Sequence, residues 1–230
     1  LGSTEYEVIQ HLQLVNHGPG APAKQNLWVA LISSAYPYQE VHSIAAAPDS
    51  FQLLTDEYGN RYAEFDLSDQ PAGTSIVVEI RYLLSVNSLT YDLMKCSGPL
   101  PDEWTGPELH VESDNPQIKA LASELSTGQE SRCLQARAFY DYVGDNLIYA
   151  FNGQDWGAQA ALGPMGADCS EFASLMMALS RAAGLPARYL EGLAYLTEED
   201  SGLGRTEHAW LELYLPGVGW APVDATFGRF

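Results

Sequence analysis

Apolar and polar residues alternate along Thr4–Val15, Asn26–Ile32 and Ser75–Val86. A period of two puts successive side chains on opposite faces of an extended chain, so each stretch predicts a strand with one buried and one wet face. Turn-forming segments separate them: His17-Gly-Pro-Gly, Asp56-Glu-Tyr-Gly-Asn and Asp69-Gln-Pro-Ala-Gly. Glycine tolerates the backbone angles that tight turns need, and proline cannot donate to a sheet ladder. Short strands punctuated in this way predict an antiparallel β-sandwich over roughly the first 95 residues.

The period changes after the connector Ser97-Gly-Pro-Leu-Pro-Asp-Glu-Trp-Thr-Gly-Pro. Asp114-Asn-Pro offers a helix cap with proline in the first turn, and Ile118, Leu121 and Leu125 then share one face. A second helix is expected from Ser131 to about Asp145, burying Leu134, Ala138 and Tyr142 with Phe139 and Val143 beside them. Residues 151–163 carry no period and are expected to be irregular. The strongest helical signal follows Cys169, where Phe172, Leu175, Met176 and Leu179 recur at spacings of three and four before Gly184-Leu-Pro stops the helix. Strand patterns return at 187–195, 208–215 and 220–226, the last two forming a hairpin around Pro216-Gly-Val-Gly, with an exposed loop expected at 197–206. The expected class is α+β: an antiparallel β-sandwich domain over residues 1–100, then a second domain of helices followed by strands over 101–230.

This second half carries the candidate chemistry. Cys169 opens the helix, where unpaired N–H groups and the positive end of the dipole favour a thiolate, the form of cysteine that attacks. A buried structural cysteine is the alternative, but Gly166-Ala-Asp168 just before it is polar and flexible. His208 opens the first hairpin strand, and a turn centred near Pro216-Gly217 sets it opposite about residue 225, with Asp224 alongside. A strand histidine taken alone is usually structural; thiol, imidazole and carboxylate in this arrangement form a nucleophile, a base and an orienting group.

Composition narrows the classes. Eleven basic against 30 acidic residues give a net charge of −19, which repels phosphate backbones and anionic lipids, so no nucleic-acid partner is expected. No apolar run reaches the roughly 18 residues of a membrane span, and no membrane insertion is expected. Only Lys24, Lys95 and Lys119 could serve as amine donors in self-crosslinking. Cys96 and Cys133 could pair and leave Cys169 free, though sequence does not establish their separation. No CxxC or His-rich tract is present, so no metal and no cofactor is expected. His11, His17 and His42 read as surface or edge residues, and Glu198-Glu199-Asp200 as a solvated loop rather than a cation site. The start Leu1-Gly-Ser leaves the compartment open, either cytoplasmic or exported with its signal removed, and the oligomeric state is open as well.

Four motifs in order, Gly166-x-Asp-Cys-x-Glu-Phe-Ala, Arg181-Ala-Ala-Gly-Leu-Pro-Ala-Arg-Tyr, His208-Ala-Trp-x-Glu and Gly219-Trp-x-Pro-Val-Asp-Ala-Thr, resemble the core of the transglutaminase-like superfamily. The similarity is close from Asn146 to Arg229, and the first half is similar to the β-sandwich that precedes this core in prokaryotic members. The resemblance implies a papain-like core with Cys169 as nucleophile, His208 as base and acid, and Asp224 as orienting carboxylate. For the oxyanion it suggests the Cys169 N–H, joined by Trp156, Gln154 or Asn152 from the preceding segment. Asp168, Trp210 and Trp220 are candidates for the substrate cleft, the tryptophans being cleft walls or core, and Arg188 is expected to bridge to Glu171 or Glu212. The expected activity is hydrolysis of a peptide or protein substrate at an amide bond through a thioester. Transamidation of protein glutamine and a non-catalytic binding module are the alternatives.

Overall fold

The computed structural model describes residues 2–151, 154, 156–164, 166–195 and 207–227 of a chain that divides into two units, Leu1–Thr90 and Tyr91–Phe230. The first unit contains β1 (Ser3–Val15), β2 (Asn26–Ala30), β3 (Gln39–Ala47), β4 (Gln52–Thr55), β5 (Arg61–Asp66) and β6 (Ser75–Asn87). They form two antiparallel three-stranded sheets, ordered β1-β6-β3 and β2-β5-β4. β1 and β6 pair from Ser3 opposite Asn87 to Val15 opposite Ser75. Val29, Leu31, Phe65 and Leu67 from one sheet and its ends meet Val78, Ile80, Tyr82 and Leu84 of the other in one core. Alternation makes this possible: in β6 these four are buried while Val77 before them and Leu83 among them stay exposed. β3 to β5 lack so legible a period. β3 carries a register shift between Val41 and Ser43, which breaks the alternation, and all of β4 is exposed.

The second unit contains α1 (Pro116–Ser126), α2 (Arg132–Asn146), α3 (Gly157–Ala161), α4 (Cys169–Ala182), β7 (Ala187–Leu193), β8 (Glu207–Leu215) and β9 (Gly219–Val223). The strands form an antiparallel sheet ordered β7-β8-β9. Caps start the helices as the sequence suggests: the Asn115 side chain accepts from the N–H of Gln117 at 2.8 Å, and Ser131 from that of Leu134 at 3.2 Å. Every residue of α4 from Glu171 to Arg181 is buried. The apolar stripe Phe172, Leu175, Met176, Leu179 is only part of its surface. Small residues Ala173, Ser174, Ala178 and Ser180 on its other sides let the remaining helices close around it. Its sheet partners in this core include Leu211, Leu213 and Leu215 of β8, alternate residues on one face.

Three expectations are corrected here. α2 buries the expected Phe139 and Val143 together with Cys133, Ala136 and Tyr140, whereas Leu134, Ala138 and Tyr142 are only half-buried; Cys133 is disulfide-bonded to Cys96, with Cα atoms 5.9 Å apart. The expected irregular stretch 151–163 contains the short helix α3. The division between units falls after Thr90 rather than after residue 100, since Tyr91, Leu93, Cys96 and Leu100 of the connector pack against the second core. Among the described residues no helix is long and apolar enough to cross a membrane.

Candidate active site

The site begins with how α4 starts. Asp168 is its N-cap, its carboxylate accepting from the Ser170 N–H at 3.1 Å and the Ser170 hydroxyl at 2.7 Å. Glu171, three residues on, accepts from the Asp168 N–H at 3.0 Å, closing a capping box. Its other oxygen accepts from the Trp156 N–H at 2.9 Å and the Ser170 hydroxyl at 3.2 Å. A carboxylate with no exposure thereby ties the backbone ahead of α3 to the first turn of α4. Cys169 is the first residue of that turn, half-buried, and no acceptor among the described residues takes its N–H. The sulfur therefore sits at the positive end of the α4 dipole.

The approach to Cys169 is fixed by a parallel bridge between Tyr149 and Ala167, with the Ala150 N–H donating to the Ala167 carbonyl at 2.8 Å. Gly166 adopts φ +79°, and a Cβ there would lie 2.8 Å from that of Ala150. Both facts demand the glycine that the motif carries.

His208 reaches the site from β8. Its Nε2 lies 2.8 Å from Asp224 Oδ2, and the Thr226 N–H donates to the other Asp224 oxygen at 3.0 Å. Cys169 acts on the same ring, being among the groups that raise the His208 pKa, and Nδ1 is the nitrogen left to face it. Trp210 stacks on the imidazole with centroids 5.9 Å apart and planes 20° from parallel, and Phe227 lies 4.7 Å away at 50°. The His208 side chain is 8% exposed. Burial, the largest single influence on it, lowers its pKa, but the hydrogen bonds to Asp224 and Cys169 and the charges of both outweigh burial and raise it to about 9. The imidazolium persists at neutral pH, so a cation and a helix N-terminus both face the sulfur.

The other expected residues separate. Asp168, expected on the cleft, is buried and spent on capping. Trp220 pairs with Tyr214, six residues beyond His208 on β8, or about 20 Å along the strand. It carries the Arg188 guanidinium 4.3 Å from its ring centroid and belongs to a structural cluster rather than the cleft. Arg188 pairs with buried Glu212 at 2.5 Å, while Glu171 serves the capping box. Trp210 does lie beside the imidazole. Trp156 and Gln154 are exposed on the segment that Glu171 tethers; Asn152, the acidic run 198–200 and the 197–206 loop lie outside the described residues. Among the described residues no cluster of His, Cys, Asp or Glu could hold a metal ion. The sequence reading missed Glu171 as the tie, although Asp168-x-x-Glu171 is a legible capping-box signature. Phe227 had no local signal.

A helix headed by cysteine, packed on an antiparallel sheet that brings histidine and aspartate together, is the α+β core of the transglutaminase-like superfamily. Residues 119–225 match the model of the transglutaminase-like superfamily. Over 49% of its length the chain is 26% identical to the uncharacterised protein YebA of Bacillus subtilis, of which it covers 18%. Over 65% it is 29% identical to a protein-glutamine gamma-glutamyltransferase of Pseudomonas aeruginosa, of which it covers 24%. It thus spans less than a quarter of the length of either curated relative. Among solved structures, a candidate cysteine protease from Cytophaga hutchinsonii shares the fold, with a TM-score of 0.71 at 17% identity, covering 98% of this chain and 78% of that chain.

Proposed function

We propose that the protein is a cysteine-dependent acyl-transfer enzyme that hydrolyses amide bonds of a peptide or protein substrate. The observation that carries this reading is one imidazole that is bound to Asp224 through Nε2 and whose pKa is raised by the Cys169 thiol at the head of α4. In the first step the Cys169 sulfur bonds to the carbonyl carbon, and the developing oxyanion meets the unspent Cys169 N–H. The carbon–nitrogen bond breaks as His208 gives its proton to the leaving amine, leaving a thioester. His208, now neutral, takes a proton from water, whose oxygen displaces the sulfur and releases the carboxylic acid. Asp224 holds the ring in register and balances its charge throughout.

Transamidation is the second reading, favoured by the Pseudomonas aeruginosa relative. It differs only in the group that resolves the thioester. Water needs no dedicated subsite, and no described feature holds an amine, so hydrolysis is the primary proposal. A peptide library incubated with and without a labelled primary amine, with products weighed, decides. New acids and amines absent with Cys169→Ala support hydrolysis, and amine-bearing products support transfer. No turnover under either condition leaves a binding module.

A further inference from the structure

We propose that Gly192 is a positioning residue, kept without a side chain so that Trp210 can lie across it and hold the His208 imidazole against Cys169. The inference rests on the reading of His208 as the group that serves the thiol. Gly192 pairs directly with His208 across β7 and β8, and Trp210 is the diagonal neighbour on the same face. The Gly192 backbone is not in the left-handed region, so conformation does not explain the glycine. Space does. A Cβ built there would lie 2.5 Å from Trp210 Cη2 and 3.1 Å from Cζ3, closer than atoms in contact can approach. The indole occupies the volume a side chain would take, and from that seat it stacks on the imidazole at 5.9 Å.

The two remaining sides of the imidazole are also engaged. Phe227 lies 4.7 Å from it, and Asp224 binds its outer nitrogen. With Trp210 and Phe227 against the ring and Asp224 on Nε2, the imidazole has less freedom to turn away from the sulfur. Any side chain at 192 pushes the indole outward, and the imidazole then gains room to rotate about its bond to Asp224. The atoms that would collide belong to the outer ring of the indole, which phenylalanine lacks.

That geometry sets the test. Alkylation of Cys169 by iodoacetamide at pH 7 reports how the imidazole serves the sulfur and needs no substrate. In Gly192→Ala the rate is expected to fall about tenfold, and in Trp210→Phe less, by about threefold. Adding Gly192→Ala to Trp210→Phe is expected to cost less than about twofold more, because the collision is gone; such non-additivity is the mark of two residues acting through one contact. Glycine covered by an aromatic ring can also simply stabilise a sheet, and thermal unfolding of each variant separates that role. The proposal is overturned if Gly192→Ala alkylates within about twofold of the unsubstituted protein, or slows equally in both backgrounds. It is also overturned if the rate loss disappears once each variant is compared at equal distance below its own Tm. If the coupling holds but the peptide library shows no turnover, the enzymatic reading fails and the positioning role stands.

Discussion

The β-sandwich unit and the helical unit treat polar groups differently. Among the described residues the first buries one polar side chain, Ser85, whereas the second buries Ser113, Asp168, Glu171, Ser174, Ser180, Arg181 and Glu212. In the first unit a carboxylate such as Asp56 works in a turn, accepting from the N–H groups of Tyr58 and Asn60, the Asn60 amide and the Tyr62 hydroxyl at 2.8 to 3.2 Å. In the second, charge is taken inside. Arg181 donates to the Ala187 carbonyl through two nitrogens and to Gly106, and pairs with Glu108 at 3.2 Å, while Glu212 meets Arg188. Burying an ion is costly unless it is paired, and a hydrophobic replacement would often be as stable. What these ions share is that each fixes backbone or a neighbour in the unit that carries Cys169 and His208. Alternation is enough to build a sandwich; the unit that carries Cys169, His208 and Asp224 also takes paired charge inside.

The largest test of this contrast is the location of the chemistry. Cys169→Ala and His208→Ala are each expected to lower turnover by about 10⁴-fold or more, as for other residues that act as one catalytic unit. Trp28→Ala on the exposed face of β2 is expected to leave turnover within about twofold. Steady-state kinetics on the substrate found by library profiling checks this. Comparable losses from the sandwich variant would move part of the site into the first unit.

A second test concerns Glu171. Glu171→Ala leaves the buried Asp168 N–H and the part-buried Trp156 N–H without their acceptor and removes half of the capping box. A loss of roughly 2 to 4 kcal/mol in stability is expected from two unsatisfied donors, measured by denaturant unfolding. A cost under about 1 kcal/mol would show that the carboxylate is dispensable and that water can replace it.

The sequence disclosed these two units unequally. Strands β1, β2 and β6 were readable because their alternation is unbroken, while β3 is bulged and β4 exposed throughout. Cys169, His208 and Asp224 were legible as candidates because a helix start and a hairpin turn are local signals. The hairpin register places Leu211 opposite Val223, one residue from the pairing a turn at Pro216-Gly217 suggested, and Asp224 still reaches the ring. The cleft was less legible. Asp168 and Trp220 sit inside motifs, but a motif does not distinguish a group that faces substrate from one that caps a helix or receives an arginine. The Gly192–Trp210–His208 contact runs across strands, where no spacing in the chain announces it.

A third test uses the disulfide, which lies within the second unit because the connector packs there. Cys96 and Cys133 are 37 residues apart, and opening that loop in the unfolded state is expected to cost roughly 3 to 4 kcal/mol. Hydrogen exchange followed by mass spectrometry should show lost protection in α2 and its neighbours after Cys96→Ala with Cys133→Ala, with β1 and β6 unchanged. Loss of protection in the sandwich would mean that the connector supports both units.

A fourth test is pH dependence, where the two units should respond at opposite ends. The folded-state pKa of His208 is raised from 6.5 to about 9, so the stability it contributes is full below 6.5 and is lost as pH rises through about 9. Asp56 and Asp66 behave in the reverse sense. The Asn60 side chain holds the Asp56 carboxyl below its ordinary 3.8, and the Ser68 hydroxyl does the same for Asp66. Their contributions are present above that value and are lost as pH falls below it. Two differences isolate these groups from all others that titrate. Stability of the unsubstituted protein minus that of His208→Ala should shrink between pH 6.5 and 9 and be flat from 4 to 6; the same difference for Asp56→Asn should be flat from 5 to 9 and shrink below 4. An alkaline slope that survives His208→Ala would assign the second unit's pH response to another group, and the contrast between a surface that answers acid and a site that answers base would fail on that side.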